Sequence, residues 1–179
     1  MSVQRIAGRY AKSLIDLAQE NSKLERVLED VTSFKNASAN RDFYLLMKSP
    51  IVKPSKKQSI LDALFKDKYD ELTMAFLNIL VKKGREAYLP EIADAFIAQY
   101  KEIKQISSVK VTTAKPMDAA TLKSLEAKLA TSDATYSQVE IETEVDPELI
   151  GGFVLEIGGK IYDASVVQKL EDLKRTLAS

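Results

Sequence analysis

The sequence predicts an α+β protein, with a six-helix bundle in residues 1–105 followed by a small α/β module in residues 106–179. Three observations predict this class. The first 105 residues show the 3.6-residue apolar period of amphipathic helices and no strand pattern. From Val109 onward, apolar and polar residues alternate as in a strand. The segment from Val139 to Leu177 is then dense in turn and cap signals.

The first half of the bundle is predicted from apolar periodicity and cap residues. Helix one runs from about Val3 to Glu20, and a capping box of Ser22 and Glu25 opens helix two. A short helix three, around Phe43–Met47, must end before Pro50, because proline disfavours helical geometry in the residue that precedes it.

The second half of the bundle follows from the same kinds of signal. A capping box of Ser55 and Gln58 opens helix four. Helix five spans roughly Tyr69–Lys83 and stops at Gly84, the residue type usual just beyond a helix end. Helix six begins near Pro90, since proline is tolerated in a first turn.

The second module is predicted to mix strands and helices. Residues 109–113 and 139–145 alternate as strands, with a helix at 118–131 between them. Residues 153–157 and 160–162 form a hairpin whose turn, Gly158-Gly159, suits positive φ. Ser165 begins a capping box with Gln168, and the helix that follows has an apolar face made of Val166, Leu170, Leu173 and Leu177.

Composition restricts the chemistry that the chain can perform. It has neither cysteine nor histidine, which excludes disulfides, thiolate chemistry, most zinc sites and histidine-based triads. An enzyme would have to use carboxylates, lysine, tyrosine or serine. The net charge is zero, which argues against nucleic acid. The longest apolar stretch, Leu72–Val81, is too short for a membrane span of about 20 residues.

Two helices have more apolar surface than a surface helix needs. In helix one, the larger apolar residues lie towards one edge of a wide apolar arc. Helix five has two apolar faces on roughly opposite sides, and these consist of Leu72, Ala75, Phe76, Ile79 and Leu80 on one and Met74, Leu77 and Val81 on the other. Such a helix is either buried centrally in the bundle or shared between the core and a groove for an incoming amphipathic helix.

Three further patterns have weaker functional interpretations. Gly158-Gly159-Lys160 lacks the spacing of a phosphate loop and indicates a hairpin. Lys53, Lys56 and Lys57 form a basic cluster that is either solvated surface or a phosphate contact of an RNA-associated helical adaptor. The carboxylates of residues 140, 142 and 144 share one strand face and are expected to face water or a basic partner.

Three segments resemble a known family over essentially the whole chain. They are Arg9-Tyr10-Ala11-Lys12-Ser13-Leu14, the Gly84-Arg85 pair with Leu89-Pro90 and Phe96, and the run from Val145-Asp146 through Gly151-Gly152-Phe153 to Asp163-Ala164-Ser165-Val166. Their order and spacing are similar to those of the delta subunit of bacterial and chloroplast F-type ATP synthases, the family of the mitochondrial oligomycin-sensitivity-conferring protein.

The resemblance implies a non-catalytic stator subunit, without a cofactor, that joins the catalytic head to the peripheral stalk. Residues 1–105 would hold the N-terminal helix of an alpha subunit between helices one and five, and residues 106–179 would meet the C-terminal end of the b subunits. The implied groove residues are Tyr10, Leu14, Met74, Leu77, Asn78, Ile79 and Val81, of which Ile79 suits the core as well as a groove edge. The implied stalk-facing residues are Phe153, Ile161, Val166, Leu170 and Leu173, which could equally form the module's own core. One copy per complex, at the cytoplasmic face of a bacterial inner membrane, is expected.

Overall fold

A computed structural model describes residues 3–130, 132, 135–136 and 138–177 of the chain. The chain divides into two compact units, Met1–Tyr100 and Lys101–Ser179. The first is helical and the second combines a sheet with helices, which confirms the predicted α+β class. The division falls within the last helix of the bundle, slightly before the boundary that the sequence suggested.

Six α-helices and one short 3₁₀ turn, at Glu86–Tyr88, make up the helical part within residues 3–103. The turn was not predicted. The α-helices, in chain order, are α1 Val3–Glu20, α2 Leu24–Ser38, α3 Arg41–Lys48, α4 Pro54–Phe65, α5 Glu71–Lys82 and α6 Leu89–Ile103. Gly84 follows α5 with a φ of 64°, as the predicted helix stop requires.

Two predicted capping boxes in the bundle are wrong. Ser22 has a φ of 54°, and its N–H donates to the carbonyl of Gln19. It therefore closes α1 instead of capping α2 with its hydroxyl. Pro54 supplies the first turn of α4, so Ser55 lies inside that helix instead of preceding it. The side chains that do cap helices are Asn40 for α3 and Asp70 for α5.

The interior of the first unit combines an apolar core with a few buried polar bonds. Four rings, from Phe34, Phe43, Phe65 and Tyr69, pack with neighbouring centroids 4.6–6.0 Å apart. The buried carboxylate of Asp30 accepts hydrogen bonds from the backbone N–H of Asp70 and the hydroxyl of Thr73, at 2.8 and 2.9 Å. These bonds fix α5 against α2.

The second unit is a four-stranded sheet with a helix against one face. Its elements are β1 Ile106–Thr113, α7 Ala119–Ala130, β2 Gln138–Val145, β3 Phe153–Ile157, β4 Lys160–Asp163 and α8 Val166–Leu177. The strand order is β2-β1-β3-β4, with β1 and β2 parallel and the other pairs antiparallel. Its buried core consists of Val109, Val111, Leu129 and Leu155. Residue 131, the predicted end of α7, lies outside the described residues.

The turn and the helix cap of the last segment form largely as predicted. Gly158 and Gly159 have φ values of 55° and 79° and make the hairpin turn. Ser165 caps α8, since its hydroxyl accepts from the N–H of Gln168 at 3.1 Å. The other half of the box does not form, because the Gln168 amide donates to the Asp172 carboxylate one turn later.

Candidate functional site

Helices α1 and α5 lie side by side in opposite directions. An ion pair of 2.7 Å between Lys23 and Asp70 joins the residue just beyond α1 to the cap of α5. Midway, the rings of Tyr10 and Phe76 meet edge to face with centroids 6.5 Å apart. The beginning of α1 lies beside Arg85, which follows α5, because both line one pocket. The two helices therefore expose a continuous two-helix surface.

This surface is apolar and partly open to solvent. Leu17 and Ile79 are 44% and 51% exposed, and the neighbouring apolar side chains are half-buried. We call it the α1/α5 surface and define it by Ile6, Tyr10, Leu17, Leu72, Phe76 and Ile79. A narrow apolar crevice of about 20 Å³ adjoins this surface at Phe76, and core residues of α1, α2, α5 and α6 form the rest of its lining. The α1/α5 surface thus covers a nearly filled core.

The structure divides the predicted groove residues between this surface and the core. Tyr10 and Ile79 lie on the α1/α5 surface, and Asn78 is half-buried on α5. The remaining four, which are Leu14, Met74, Leu77 and Val81, are buried within the bundle. Helix α5 is not buried all round: Leu80 joins the core-facing residues Met74, Leu77 and Val81, whereas Phe76 and Ile79 lie on the open side.

Sequence reasoning missed four members of the surface: Ile6, Leu17, Leu72 and Phe76. A polar contact decides which side of α5 faces inward. Thr73 shares the inward side of α5 with the predicted Met74 and Leu77, and its hydroxyl bonds to the buried carboxylate of Asp30. A helical wheel places these residues on one side but cannot say that this side faces inward.

In the second unit, all five predicted stalk-facing residues lie outside the buried core. Phe153, Leu170, Leu173 and Ile161 are 37%, 47%, 58% and 71% exposed. Val166 is half-buried, because its side chain covers Gly151, where an added Cβ would lie 3.1 Å from Val166 Cγ2. The alternative that this group forms the module's core therefore does not hold.

Helix α8 is attached to its unit through its first turn. The N–H of Val166 donates to the carbonyl of Gly151 at 2.9 Å, and the helix packs on the 3₁₀ turn Pro147–Leu149. None of its described residues is buried, and exposure of the apolar side chains rises to 86% at Leu177. An amphipathic helix in this state has an apolar stripe without a partner inside its own unit.

A wider apolar cleft lies on the same unit. It has a volume of about 500 Å³ and lies between β1, α7 and the loop that leads into β3. Phe153 lines it together with Ile150, which is 67% exposed and was not predicted. The second unit thus has both an exposed apolar helix face and an apolar cleft.

The charged patterns in the sequence have structural explanations. Lys57 is not part of a surface cluster: it is 2% exposed, and its ammonium donates to Glu86 Oε1 and to the carbonyl of Met47, both at 2.8 Å. Glu140 and Glu144 pair with Lys101 and Lys110 at 2.7 and 2.8 Å. The basic cluster that an RNA-associated adaptor would use is therefore reduced at the surface to Lys53 and Lys56.

Comparison with known proteins decides the family. A family model described as the ATP synthase delta (OSCP) subunit matches residues 6–177. The chain belongs to the ATP synthase delta (OSCP) subunit family. Members of this family are non-catalytic, structural subunits of the ATP synthase complex. The family explains why two apolar surfaces, rather than a catalytic pocket, are the main features of the chain.

Individual delta subunits agree over nearly the full length. The chain is 41% identical over 175 residues to ATP synthase subunit delta of Cytophaga hutchinsonii, which covers 97% of this chain and 94% of that protein. It is 34% identical over 181 residues to the chloroplastic delta subunit of Emiliania huxleyi, covering 100% and 99%.

A solved structure gives the same result for the fold. A chain in the cryo-EM structure of the Toxoplasma gondii mitochondrial ATP synthase hexamer superposes with a TM-score of 0.75 at 30% identity, covering 97% of both chains. Within the residues that the structure describes, no helix combines the length and apolarity needed to cross a membrane.

Proposed function

We propose that this chain links the catalytic head of an F-type ATP synthase to its peripheral stalk. The α1/α5 surface receives the amphipathic N-terminal helix of an alpha subunit, and the second unit binds the C-terminal end of the b subunits. One copy serves each complex, bound peripherally at the cytoplasmic face of a bacterial inner membrane. The linkage resists rotor torque, so that proton flow drives ATP synthesis.

The observation that carries the proposal is the outward apolar side of α5. Ile79 and Phe76 lie on this side although the opposite side of the helix already supplies the core. A helix laid between α1 and α5 would bury these residues together with Leu17 and Tyr10. This is the helix-in-groove mode of recognition, in which apolar anchors one turn apart supply most of the affinity.

The stalk contact is supported by the exposed stripe of α8 and by Phe153 in the apolar cleft. A free protein rarely keeps a row of leucines in water without a partner. A helical stalk end would cover Leu170 and Leu173, whose side chains lie one turn apart on the same side of α8.

Titration calorimetry tests the head contact on the full chain, with a synthetic peptide of the alpha N-terminal helix. Because Ile79 is about half exposed, its complete burial contributes about 1 kcal/mol, so Ile79→Ala should weaken binding about fivefold. Ile51→Ala is the matched control, since Ile51 is 90% exposed between α3 and α4. No binding of the wild-type chain at high micromolar peptide would reject the head contact.

The complex itself provides the second test. Pull-down of the tagged chain from detergent-solubilised membranes should recover both alpha and b subunits. Recovery of alpha without b would contradict the stalk half of the proposal and leave the head half standing.

A further inference from the structure

An unassigned pocket lies at one end of the α1/α5 surface. Ile6, Arg9, Tyr10, Ser13 and Arg85 line it, and its volume is about 230 Å³. It lies where α1 begins and α5 has just ended. Ile6 and Tyr10 belong to both the pocket and the α1/α5 surface, so a helix that docks on that surface passes over the pocket.

Two arginines line the pocket, and no carboxylate among the described residues neutralises either guanidinium group. Among the described residues, the ion pairs within 4.0 Å include neither Arg9 nor Arg85. Arg85 lies over the ring of Tyr88, with 5.9 Å from Cζ to the ring centroid. A cation–π contact of this kind does not require the N–H donors of the guanidinium, which can still bond a carboxylate. The nearby Glu86 is already bonded to Lys57.

We propose that this pocket binds the carboxylate of an aspartate or glutamate side chain of the docking helix. The proposal rests on the proposed function, whose occupant it specifies further. Planar guanidinium groups match carboxylates in two-pronged hydrogen bonds, and two of them beside an apolar surface select an acid over an amide. The volume of about 230 Å³ accommodates such a side chain.

The pocket also specifies where along the docking helix the acid lies. At the opposite end of the α1/α5 surface, Lys23 and Asp70 neutralise each other at 2.7 Å and offer no net charge. The acid must therefore lie at the end of the docking helix that covers the start of α1. Arg9 and Leu17 are about 12 Å apart along α1, so the acid lies about two helical turns from the residue that covers Leu17.

The test uses calorimetry with the full chain and the synthetic alpha N-terminal peptide, in which each Asp or Glu is replaced in turn by Asn or Gln. The chain is compared with the double variant Arg9→Met, Arg85→Met, and with Arg41→Met as a control at an exposed arginine of α3. The double variant should bind about tenfold more weakly and depend less on salt. One acid replacement should weaken binding to the wild type similarly and have no further effect on the double variant.

Other outcomes would overturn the assignment. Unchanged affinity of the double variant would reject the carboxylate subsite. A weaker affinity of Ile79→Ala would still support the docking surface. The double variant could bind more weakly although no single acid replacement in the peptide changes the affinity. This would show that the arginines act by long-range attraction and do not form a carboxylate site. A peptide that does not bind the wild type at all would overturn both proposals. Circular dichroism of each variant checks that α1 and α5 remain folded.

Discussion

The buried ion pair of the first unit allows a quantitative test of how the bundle is held together. Lys57 of α4 bonds both Glu86, in the 3₁₀ turn before α6, and the backbone carbonyl of Met47 in α3. Lys57 is 2% exposed and Glu86 is 8% exposed. The second oxygen of Glu86, Oε2, has no hydrogen bond among the described residues. The buried negative charge of Glu86 is therefore compensated by the ammonium group of Lys57.

Replacing Lys57 by methionine keeps the length of the side chain but leaves a buried carboxylate without its cation. Removing one partner of a buried pair costs about 3–5 kcal/mol, because the remaining charge is uncompensated. Replacing both residues by methionine should recover most of this loss, since a well-packed apolar pair is often as stable as a buried ion pair.

Urea unfolding followed by far-ultraviolet circular dichroism measures these changes. With a slope of about 2 kcal/mol per molar urea, Lys57→Met should lower the midpoint by about 1.5 M or more. Lys56→Met, at an exposed neighbouring position of α4, should change it by no more than about 0.25 M. A loss below about 1 kcal/mol for Lys57→Met, or a double variant as unstable as the single one, would refute the reasoning.

Three further predictions concern a turn, a cap and the exposed apolar stripe of α8. Gly152→Ala should destabilise the second unit by about 2 kcal/mol or more in urea unfolding, because φ is 78° and the new Cβ would lie 2.3 Å from the carbonyl oxygen of Ala164. An unchanged stability would contradict the positive φ and the close approach of Ala164 at this position. The hydrogen bond from Lys23 lowers the pKa of Asp70 below its ordinary value of 3.8, so this stabilisation is complete above about pH 5 and is lost as the pH falls through the lowered pKa. Asp70→Asn should therefore flatten the acid side of the stability–pH profile, and an unchanged profile would count against the bond. Leu173→Asp should leave thermal stability nearly unchanged, since the side chain is 58% exposed, but should remove b subunits from the pull-down; loss of the fold instead would place this residue in the core.

Local rules are sufficient where one signal dominates. The bounds of α1, the glycine turn at 158–159 and the cap at Ser165 follow from nearest-neighbour geometry and are present as predicted. The same rule failed at Ser22 and Ser55, because competing local geometry was stronger. A left-handed residue closed α1 at the first position, and Pro54 started α4 early at the second.

The orientation of α5 could not be predicted from its own residues. Both of its sides are apolar, so the hydrophobic period is satisfied whichever side faces inward. The choice depends on Asp30, more than forty positions earlier, which binds Thr73 inside the bundle. For the same reason, three of the expected groove residues on α5, which are Met74, Leu77 and Val81, lie in the core.

The sequence left open whether the five expected stalk-facing residues lie in the core, and they lie outside it for a physical reason. In a module with one small sheet, the strands next to α7 already fill the interior with Val109, Val111 and Leu155. Apolar residues of the last helix then have no interior left to occupy. Apolar residues at the end of a small module that already has its core therefore indicate an external partner.

The bonds of Asp30 also bear on the docking that we propose for the α1/α5 surface. They hold α5 at both its cap and its first turn, so the outward side of that helix is formed before any ligand arrives. Association then requires ordering of the incoming segment alone, and the entropy lost by the receiving surface is small. A pre-formed surface of this kind favours tight binding of the proposed helix, as the proposed linkage to a rotating complex requires.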